Sequence, residues 1–165
     1  MPDTAPAPDD PWRPLTVRAT ADLLAAAPGW WWLSGGAALD HCLGRRIRER
    51  ANIDISTIAS DLPALVAALP AGYSAWAPES EDAWVPFAEA ALDTDLQPVR
   101  IRDDATGAWV LQVNVEDGSD AVWMYKRDPR LQLPWERAVL DVGGVPTGAP
   151  EVQLVWKALR PRPED

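Results

Sequence analysis

Apolar residues recur every three or four positions along several stretches of the chain, which is the spacing of one face of an α-helix. In the first stretch Val17, Ala21 and Leu24 share a face, and Pro28-Gly29 ends the pattern. After the second, Gly44 stands where a C-terminal glycine cap is expected. The predicted helices cover residues 16–27, 37–43, 61–69, 135–140 and 152–159, with a shorter one at 87–92.

Other stretches are typical of β-strands. Residues 30–33 form a short continuous apolar run, and residues 53–58 alternate with period two, so that Asp54 and Ser56 share one face. A hairpin is predicted over 99–115 with its turn at 103–107, followed by a strand at 121–126. Residues 70–97 are rich in proline and acidic residues and show weak periodicity. The whole pattern predicts an α+β fold with one mixed β-sheet flanked by helices.

Length and composition favour a single domain, since the chain has 165 residues and a hydrophobic fraction of 47%. We expect a disordered leader over residues 1–13, one domain over 14–160 and a short tail over 161–165. No run of about 18 apolar residues predicts a membrane span. The N-terminus lacks the layout of a signal peptide, so a cytoplasmic protein is expected.

Charge and rare residues exclude several kinds of site. The net charge of −10 disfavours nucleic-acid binding, which needs a concentrated basic face. The lone Cys42 and the lone His41 exclude an internal disulfide and a metal centre rich in cysteine or histidine. The ten tryptophans leave two interpretations open: core filling, or the lining of an apolar ligand pocket.

Four ordered stretches carry a resemblance to a known family: WWLSGGAALDHCLGRRIRERANIDIS, IRDDATGAWVLQVNV, YKRDPRLQLPW and GAPEVQLVWKAL. A strand, the turn Ser34-Gly35-Gly36, a helix and then a strand with an acidic position resemble the nucleotidyltransferase signature of the polymerase-β-like superfamily. More narrowly, the chain is similar to the bacterial aminoglycoside- and lincosamide-type nucleotidyltransferase-like proteins.

This resemblance implies a nucleotidyltransferase-like fold and a metal-dependent site. In the family, a glycine pair at a helix N-terminus lets backbone N–H groups approach nucleotide phosphates. Two aspartates one residue apart on a strand, with a third carboxylate on the neighbouring strand, hold Mg²⁺ and supply a base for the attacking hydroxyl.

The chain departs from that pattern at the carboxylates. Asn52 and Asp54 stand where the resemblance implies two aspartates, and Gln112 falls at the position of the third carboxylate. Arg50 stands where the resemblance implies a histidine. Because amides bind Mg²⁺ weakly and cannot act as general bases, we expect no metal site and no required cofactor.

The remaining positions predict a retained cleft. Asp54 is the candidate catalytic residue, acting as a general acid or base; the alternative is that it only accepts hydrogen bonds from Arg48 or nearby backbone. Asn52 and Gln112 either orient a polar ligand or pair with each other across the sheet. The candidate ligand-binding residues are Ser34, Gly35, Gly36, Arg48, Asn52, Gln112 and Lys157, of which Lys157 matches a family lysine near the nucleotide.

Three functions are compatible with these residues. The leading hypothesis is a divergent protein that binds a small organic molecule and converts it by metal-independent acid–base chemistry, as an isomerase or cyclase of specialised metabolism would. The first alternative is an active transferase using Mg²⁺ and ATP on an antibiotic-like hydroxyl, with Glu116 or Asp40 as the substitute carboxylate. The second is a non-catalytic binding module. A homo-oligomer is compatible with all three.

Overall fold

In the computed structural model of the protein, the residues described are 4–7, 9–91 and 98–158. The helices within this part are α1 Val17–Leu23, α2 Gly35–Leu43, α3 Leu62–Ala67, α4 Trp135–Ala138 and α5 Pro150–Lys157, with a 3₁₀ turn at Phe87–Glu89. The strands are β1 Trp31–Ser34, β2 Asp54–Ile58, β3 Tyr73–Ser80, β4 Ala83–Pro86, β5 Val99–Asp103, β6 Trp109–Gly118, β7 Val122–Met124, β8 Gln132–Pro134, β9 Val139–Val142 and β10 Val145–Gly148.

One mixed sheet organises these elements, which confirms the predicted α+β fold. Its main path follows the order β4-β3-β5-β6-β2-β1-β10-β9, and β7 joins the far end of β6 and pairs with β8. The β2–β6 and β1–β10 pairs are parallel, and the other strand pairs are antiparallel. The central strands β6, β2 and β1 therefore lie side by side. Because β1 runs antiparallel to β2, the end of β1 at Ser34 lies beside the start of β2 at Asp54.

Apolar side chains of the central strands form the core. One cluster joins Leu33, Ile55 and Val113 to helices α1 and α3 through Leu23 and Leu65. A second cluster is aromatic and lies beside the far end of β6; its fully or nearly fully buried members include Trp32, Trp123 and Trp135. Polar residues of β2 and β6 alternate with the first cluster, as the period-two pattern predicts.

Several predicted elements are confirmed. Helix α1 begins after Thr16, whose side-chain oxygen accepts the Ala19 N–H at 3.1 Å. Gly44 adopts the left-handed conformation (φ 67°) at the C-terminus of α2, as expected for a glycine cap. The hairpin of β5 and β6 is also present, with its turn at the predicted position.

Other elements differ from the predicted ones. Residues 73–86, where the weak periodicity predicted no strand, form the hairpin β3–β4. Pro86 lies on the edge strand β4, where proline is tolerated, and Pro78 lies on β3 beyond the part that pairs with β5. The predicted helix at 135–140 is a single turn, because residues 139–142 continue as β9. The helix predicted at 87–92 is a 3₁₀ turn at Phe87–Glu89, and residue 92 lies outside the described residues.

Part of the N-terminal segment makes backbone hydrogen bonds to β6. The Trp109 N–H donates to the Pro11 carbonyl, and the Arg13 N–H donates to the Trp109 carbonyl, both at 2.9 Å. The Arg102 guanidinium contacts the Asp10 carboxylate at 3.3 Å. Residues 10–13 thus lie along β6, because that strand offers them backbone partners which a local pattern does not show. Among the described residues, no helix combines the length and apolar character that crossing a membrane requires.

Candidate functional site

The turn between β1 and α2 brings the glycine pair next to Asp54. Ser34 lies opposite Asp54 in the antiparallel β1–β2 ladder. Gly35 has φ +60°, a conformation that side chains rarely adopt, and a Cβ there would lie 3.3 Å from Asp54 Oδ2. The sequence Ser-Gly-Gly is therefore explained locally by the sharp turn and by the close approach of the carboxylate.

A cavity of about 960 Å³ opens above this turn. Its walls come from the α2 N-terminus, the loop before β2, strands β2 and β6, the segment after β7, and α5. The predicted site residues that line it are Ser34, Gly35, Gly36, Arg48, Asn52, Asp54 and Lys157. Gln112 contacts Asp54 from the side and is not a lining residue. The structure thus brings the predicted residues to one place, while their roles remain a prediction.

Asp54 is held by amides of the neighbouring strand. Gln112 Nε2 donates to Asp54 Oδ1 at 2.8 Å, and Asn114 Nδ2 lies 3.4 Å from the same oxygen. Burial raises the pKa of Asp54 above its ordinary value, although these hydrogen bonds and the charges of Arg50 and Arg100 act in the opposite direction. Gln112 therefore pairs with Asp54 rather than serving as the predicted partner of Asn52.

Arg50 contacts both the glycine turn and Asp40 of helix α2. Its guanidinium makes a bidentate pair with Asp40, Nε to Oδ2 at 2.7 Å and Nη2 to Oδ1 at 2.9 Å. A Cβ at Gly36 would overlap this guanidinium, so Arg50 lies directly over the second glycine. The Arg50 hydrogen bond also lowers the pKa of Asp40. Asp40, considered above as a substitute carboxylate, is thus committed to Arg50 and does not line the cavity.

Glu116 lies on the cavity wall and is almost fully buried, at 4% exposure. Its Oε1 accepts the indole N–H groups of Trp123 at 2.9 Å and Trp156 at 2.8 Å. Burial raises the pKa of Glu116, while hydrogen bonds from Ser56 and the two indoles oppose that rise. Glu116 is four residues beyond Gln112, about 13 Å further along β6. It therefore does not stand at the position of Gln112, where the resemblance implies the third carboxylate.

Residues of α5 complete the site, and the sequence prediction found only one of them. Gln153 Oε1 accepts the Gly35 N–H at 2.7 Å, while Trp156 and Lys157 line the same cavity. A signal was present in the sequence, because Gln153 and Lys157 are four apart and share a helix face. The pattern alone could not place that face against α2.

Charge and aromatic content give the cavity its character. Five basic residues line it, Arg48, Arg50, Lys126, Arg127 and Lys157, against the two acids Asp54 and Glu116. Of the ten tryptophans, all within the described residues, Trp156 is the one that lines the cavity. The others fill the core or contact another ring or a guanidinium group. Trp30 stacks on Trp135 at 4.6 Å, and Trp12 lies against Arg100. The core interpretation of the tryptophans is therefore the better one.

The family's Mg²⁺ requires clustered carboxylate oxygens, and the donor set here does not provide them. Within residues 4–7, 9–91 and 98–158, no group of three or more His, Cys, Asp and Glu side chains could hold a metal ion. Asp54 Oδ1 and Glu116 Oε1 instead receive N–H donors from neutral side chains. The residues present do not fit that metal site.

Taken together, the mixed sheet, the glycine turn leading into α2 and the acidic position on the next strand define a nucleotidyltransferase-like fold. The family model described as aminoglycoside-2''-adenylyltransferase matches residues 16–134, and the chain belongs to this family. No curated protein matches the chain. The match ends before α4, so Gln153, Trp156 and Lys157 lie beyond the matched part.

Proposed function

We propose that this family member binds a small organic anion in the cleft between α2, β6 and α5, without Mg²⁺, and that Asp54 exchanges a proton with it. The observation that carries the proposal is the position of the Asp54 carboxylate, which faces the cavity while amides rather than further carboxylates surround it. Such a site keeps a proton donor or acceptor and lacks the ligands of a divalent cation.

The basic lining supports an anionic ligand. The chain carries a net charge of −10, yet five of its basic side chains meet around one cavity with two acids, and Asp40 outside the cavity neutralises one of the five, Arg50. A local excess of positive charge within a concave site attracts anions even when the whole molecule is acidic. A volume of about 960 Å³ suits a small organic molecule.

Asp54 supports proton exchange because its burial opposes ionisation. Burial raises the pKa of Asp54 towards the range in which a carboxyl group both gives and takes protons. In an isomerisation or a cyclisation, one carboxyl group can deliver a proton to one atom of the ligand and recover it from another. The atoms and charges of ligand and protein then balance without a metal or a second substrate.

The test is a binding screen in EDTA with aliphatic carboxylates, aromatic carboxylates and phosphate monoesters, followed by mass spectrometry of each ligand that raises the melting temperature. Arg48→Met should weaken binding of such a ligand about tenfold, while Arg46→Met, outside this cavity, should leave it unchanged. Asp54→Asn should abolish turnover and preserve binding. Turnover by Asp54→Asn at the wild-type rate would overturn the proton-exchange role.

A second candidate function is supported by the family match: adenylyl transfer from ATP to a hydroxyl of an aminoglycoside-like substrate. It requires ATP binding that strengthens with Mg²⁺ and a product heavier by one AMP. Isothermal titration with ATP, in EDTA and in Mg²⁺, separates the candidates. Binding that depends on Mg²⁺, together with AMP transfer, would replace our proposal with this one.

A further inference from the structure

Gln153 occupies the place at the N-terminus of α2 where an anion would bind. Helix α2 spans nine residues, and the side chain of Ser34, the residue before it, makes no capping hydrogen bond. The Gly35 N–H is directed instead to Gln153 Oε1, at 2.7 Å, across from α5. Backbone N–H groups at a helix N-terminus are the usual ligands of phosphate, so the carboxamide oxygen takes the position of a phosphate oxygen.

The backbone around Gln153 leaves room for its amide. Gly148 is the last residue of β10, and a Cβ there would overlap Gln153 Nε2. The same Cβ would lie 3.0 Å from the Leu33 carbonyl oxygen. Gln153 is 2% exposed, and the lack of a side chain at Gly148 lets its amide enter this space. The hydrogen bond is therefore part of a packed arrangement.

Two polar groups beside this bond have no partner within the described residues. Gln153 Nε2 and Ser34 Oγ are buried, both residues line the cavity, and neither atom has a hydrogen-bond partner. Ser34 is 4% exposed. Gln153 Nε2 lies in the space beside Gly148. Because buried polar groups in proteins are nearly always paired, the Ser34 hydroxyl indicates a position for a ligand oxygen atom. The second glycine is covered as well, since Arg50 lies over Gly36.

We propose that Gln153 is a specificity-determining residue that closes the α2 N-terminus to polyphosphate. Its carboxamide oxygen uses the first N–H of the glycine turn, and the Ser34 hydroxyl is left unpaired at the cavity wall. A ligand with a hydroxyl or carbonyl oxygen fits that hydroxyl, whereas a phosphate chain must first displace Gln153. This inference goes beyond the proposed ligand class, and its test succeeds or fails whether or not an organic anion is identified.

The test uses inorganic pyrophosphate in EDTA, measured by isothermal titration and by the ¹⁵N–¹H signal of Gly35. Gln153→Ala should bind pyrophosphate at least tenfold more tightly than the wild type, with a shift of the Gly35 signal that the wild type does not show. Leu154→Ala, at a half-exposed neighbour on the same helix, should behave as the wild type. Equal affinity of Gln153→Ala and the wild type, or a Gly35 shift in both, would overturn the proposal.

Gln153→Glu gives a second, independent result if the alanine variant does not fold. Its carboxylate keeps an acceptor for the Gly35 N–H and adds a negative charge, so pyrophosphate binding should fall below that of the wild type. Binding equal to or tighter than that of the wild type would show that position 153 does not control access to the turn.

Discussion

Asp54 on β2 and Gln112 on β6 lie directly opposite each other in the parallel ladder, and the Gln112 amide donates to the Asp54 carboxylate at 2.8 Å. Arg100 on β5 lies opposite Gln112 in turn. A carboxylate, an amide and a guanidinium therefore stand in one row across three strands. An amide in the middle of this row stabilises the ionised form of Asp54 without a divalent cation.

Gln112→Glu should replace this hydrogen bond by repulsion between two carboxylates. We expect the variant to lose about 2 kcal/mol of unfolding free energy in EDTA, because a hydrogen bond to a charged group is lost and like charges approach. Addition of Mg²⁺ should restore part of that stability in the variant and leave the wild type unchanged. Urea unfolding, with and without Mg²⁺, measures both effects.

Gln112→Met is the control for the substitution at 112, since it removes the donor and adds no charge. It should be insensitive to Mg²⁺. If Gln112→Glu is as stable as the wild type in EDTA, the hydrogen bond between Gln112 and Asp54 does not stabilise the fold.

Glu116→Gln should increase stability at high pH and change it little at low pH. Burial raises the pKa of Glu116 in the folded state, so its favourable contribution is present below the unfolded value, about pH 4, and is lost as the pH rises through the folded value. Glutamine avoids that loss and still accepts the indole N–H groups of Trp123 and Trp156. The melting temperatures of variant and wild type, compared at pH 4 and pH 8, measure the effect.

At pH 8 the gain should exceed about 1 kcal/mol. Glu89→Gln, at an exposed position, should change stability by less than about 0.5 kcal/mol at either pH. A variant that is less stable at pH 8 than the wild type would mean that the ionised Glu116 holds the aromatic cluster together.

Asp40→Asn should destabilise the protein by about 2 kcal/mol at neutral pH, because it breaks a bidentate pair whose two side chains are each 16% exposed. The Arg50 hydrogen bond lowers the pKa of Asp40 in the folded state. Its contribution is therefore present above the unfolded value, about pH 4, and is lost as the pH falls through the lower folded value. Chemical unfolding between pH 2 and pH 8 should show the difference shrink at acid pH.

Gly36→Ala should couple to this ion pair, since its Cβ would overlap the Arg50 guanidinium that Asp40 holds in place. We expect the alanine to cost less in the Asp40→Asn background, where the guanidinium can move. A double-mutant cycle should give a coupling of about 1 kcal/mol. Strict additivity of the two substitutions would contradict the contact between Arg50 and Gly36.

Arg100→Met should lower the free energy of unfolding by about 1–2 kcal/mol. The Arg100 guanidinium lies 4.6 Å from the ring centre of Trp84, 5.2 Å from that of Trp12 and 5.6 Å from that of Trp109. Arg100→Lys should restore only part of the loss, because an ammonium group cannot stack between rings as a planar guanidinium does. Thermal unfolding compares the two variants; full rescue by lysine would show that charge alone is sufficient.

Local patterns predicted much of the central sheet. The apolar run at 30–33, the glycine turn and the alternation around Asp54 each depend on neighbours within a few residues, and the structure contains each of them. The hairpin at 73–86 was missed because its prolines disfavour strands in general. Pro86 is tolerated because β4 is an edge strand, and Pro78 because β3 pairs with β5 only as far as Trp76. The position of a strand within a sheet is not a local property of the sequence.

The partners of the candidate site residues could not be predicted in the same way. Gln153 caps a backbone N–H 118 positions away, and the two indoles that hold Glu116 come from different elements, β7 and α5. Each of these contacts requires the sheet order and the packing of α5 against α2. The four-residue spacing of Gln153 and Lys157 puts them on one helix face and does not indicate what that face contacts.

The sequence by itself determined the fold class, the Ser34-Gly35-Gly36 turn and the placing of Asp54 on the following strand, because backbone conformation and strand alternation are local. Tertiary structure alone decided that Gln112 pairs with Asp54, that Arg50 covers Gly36 and that Gln153 caps α2. The physical reason is that side-chain hydrogen bonds and charges act over a few ångströms in space, and the distance along the chain does not indicate which groups come that close.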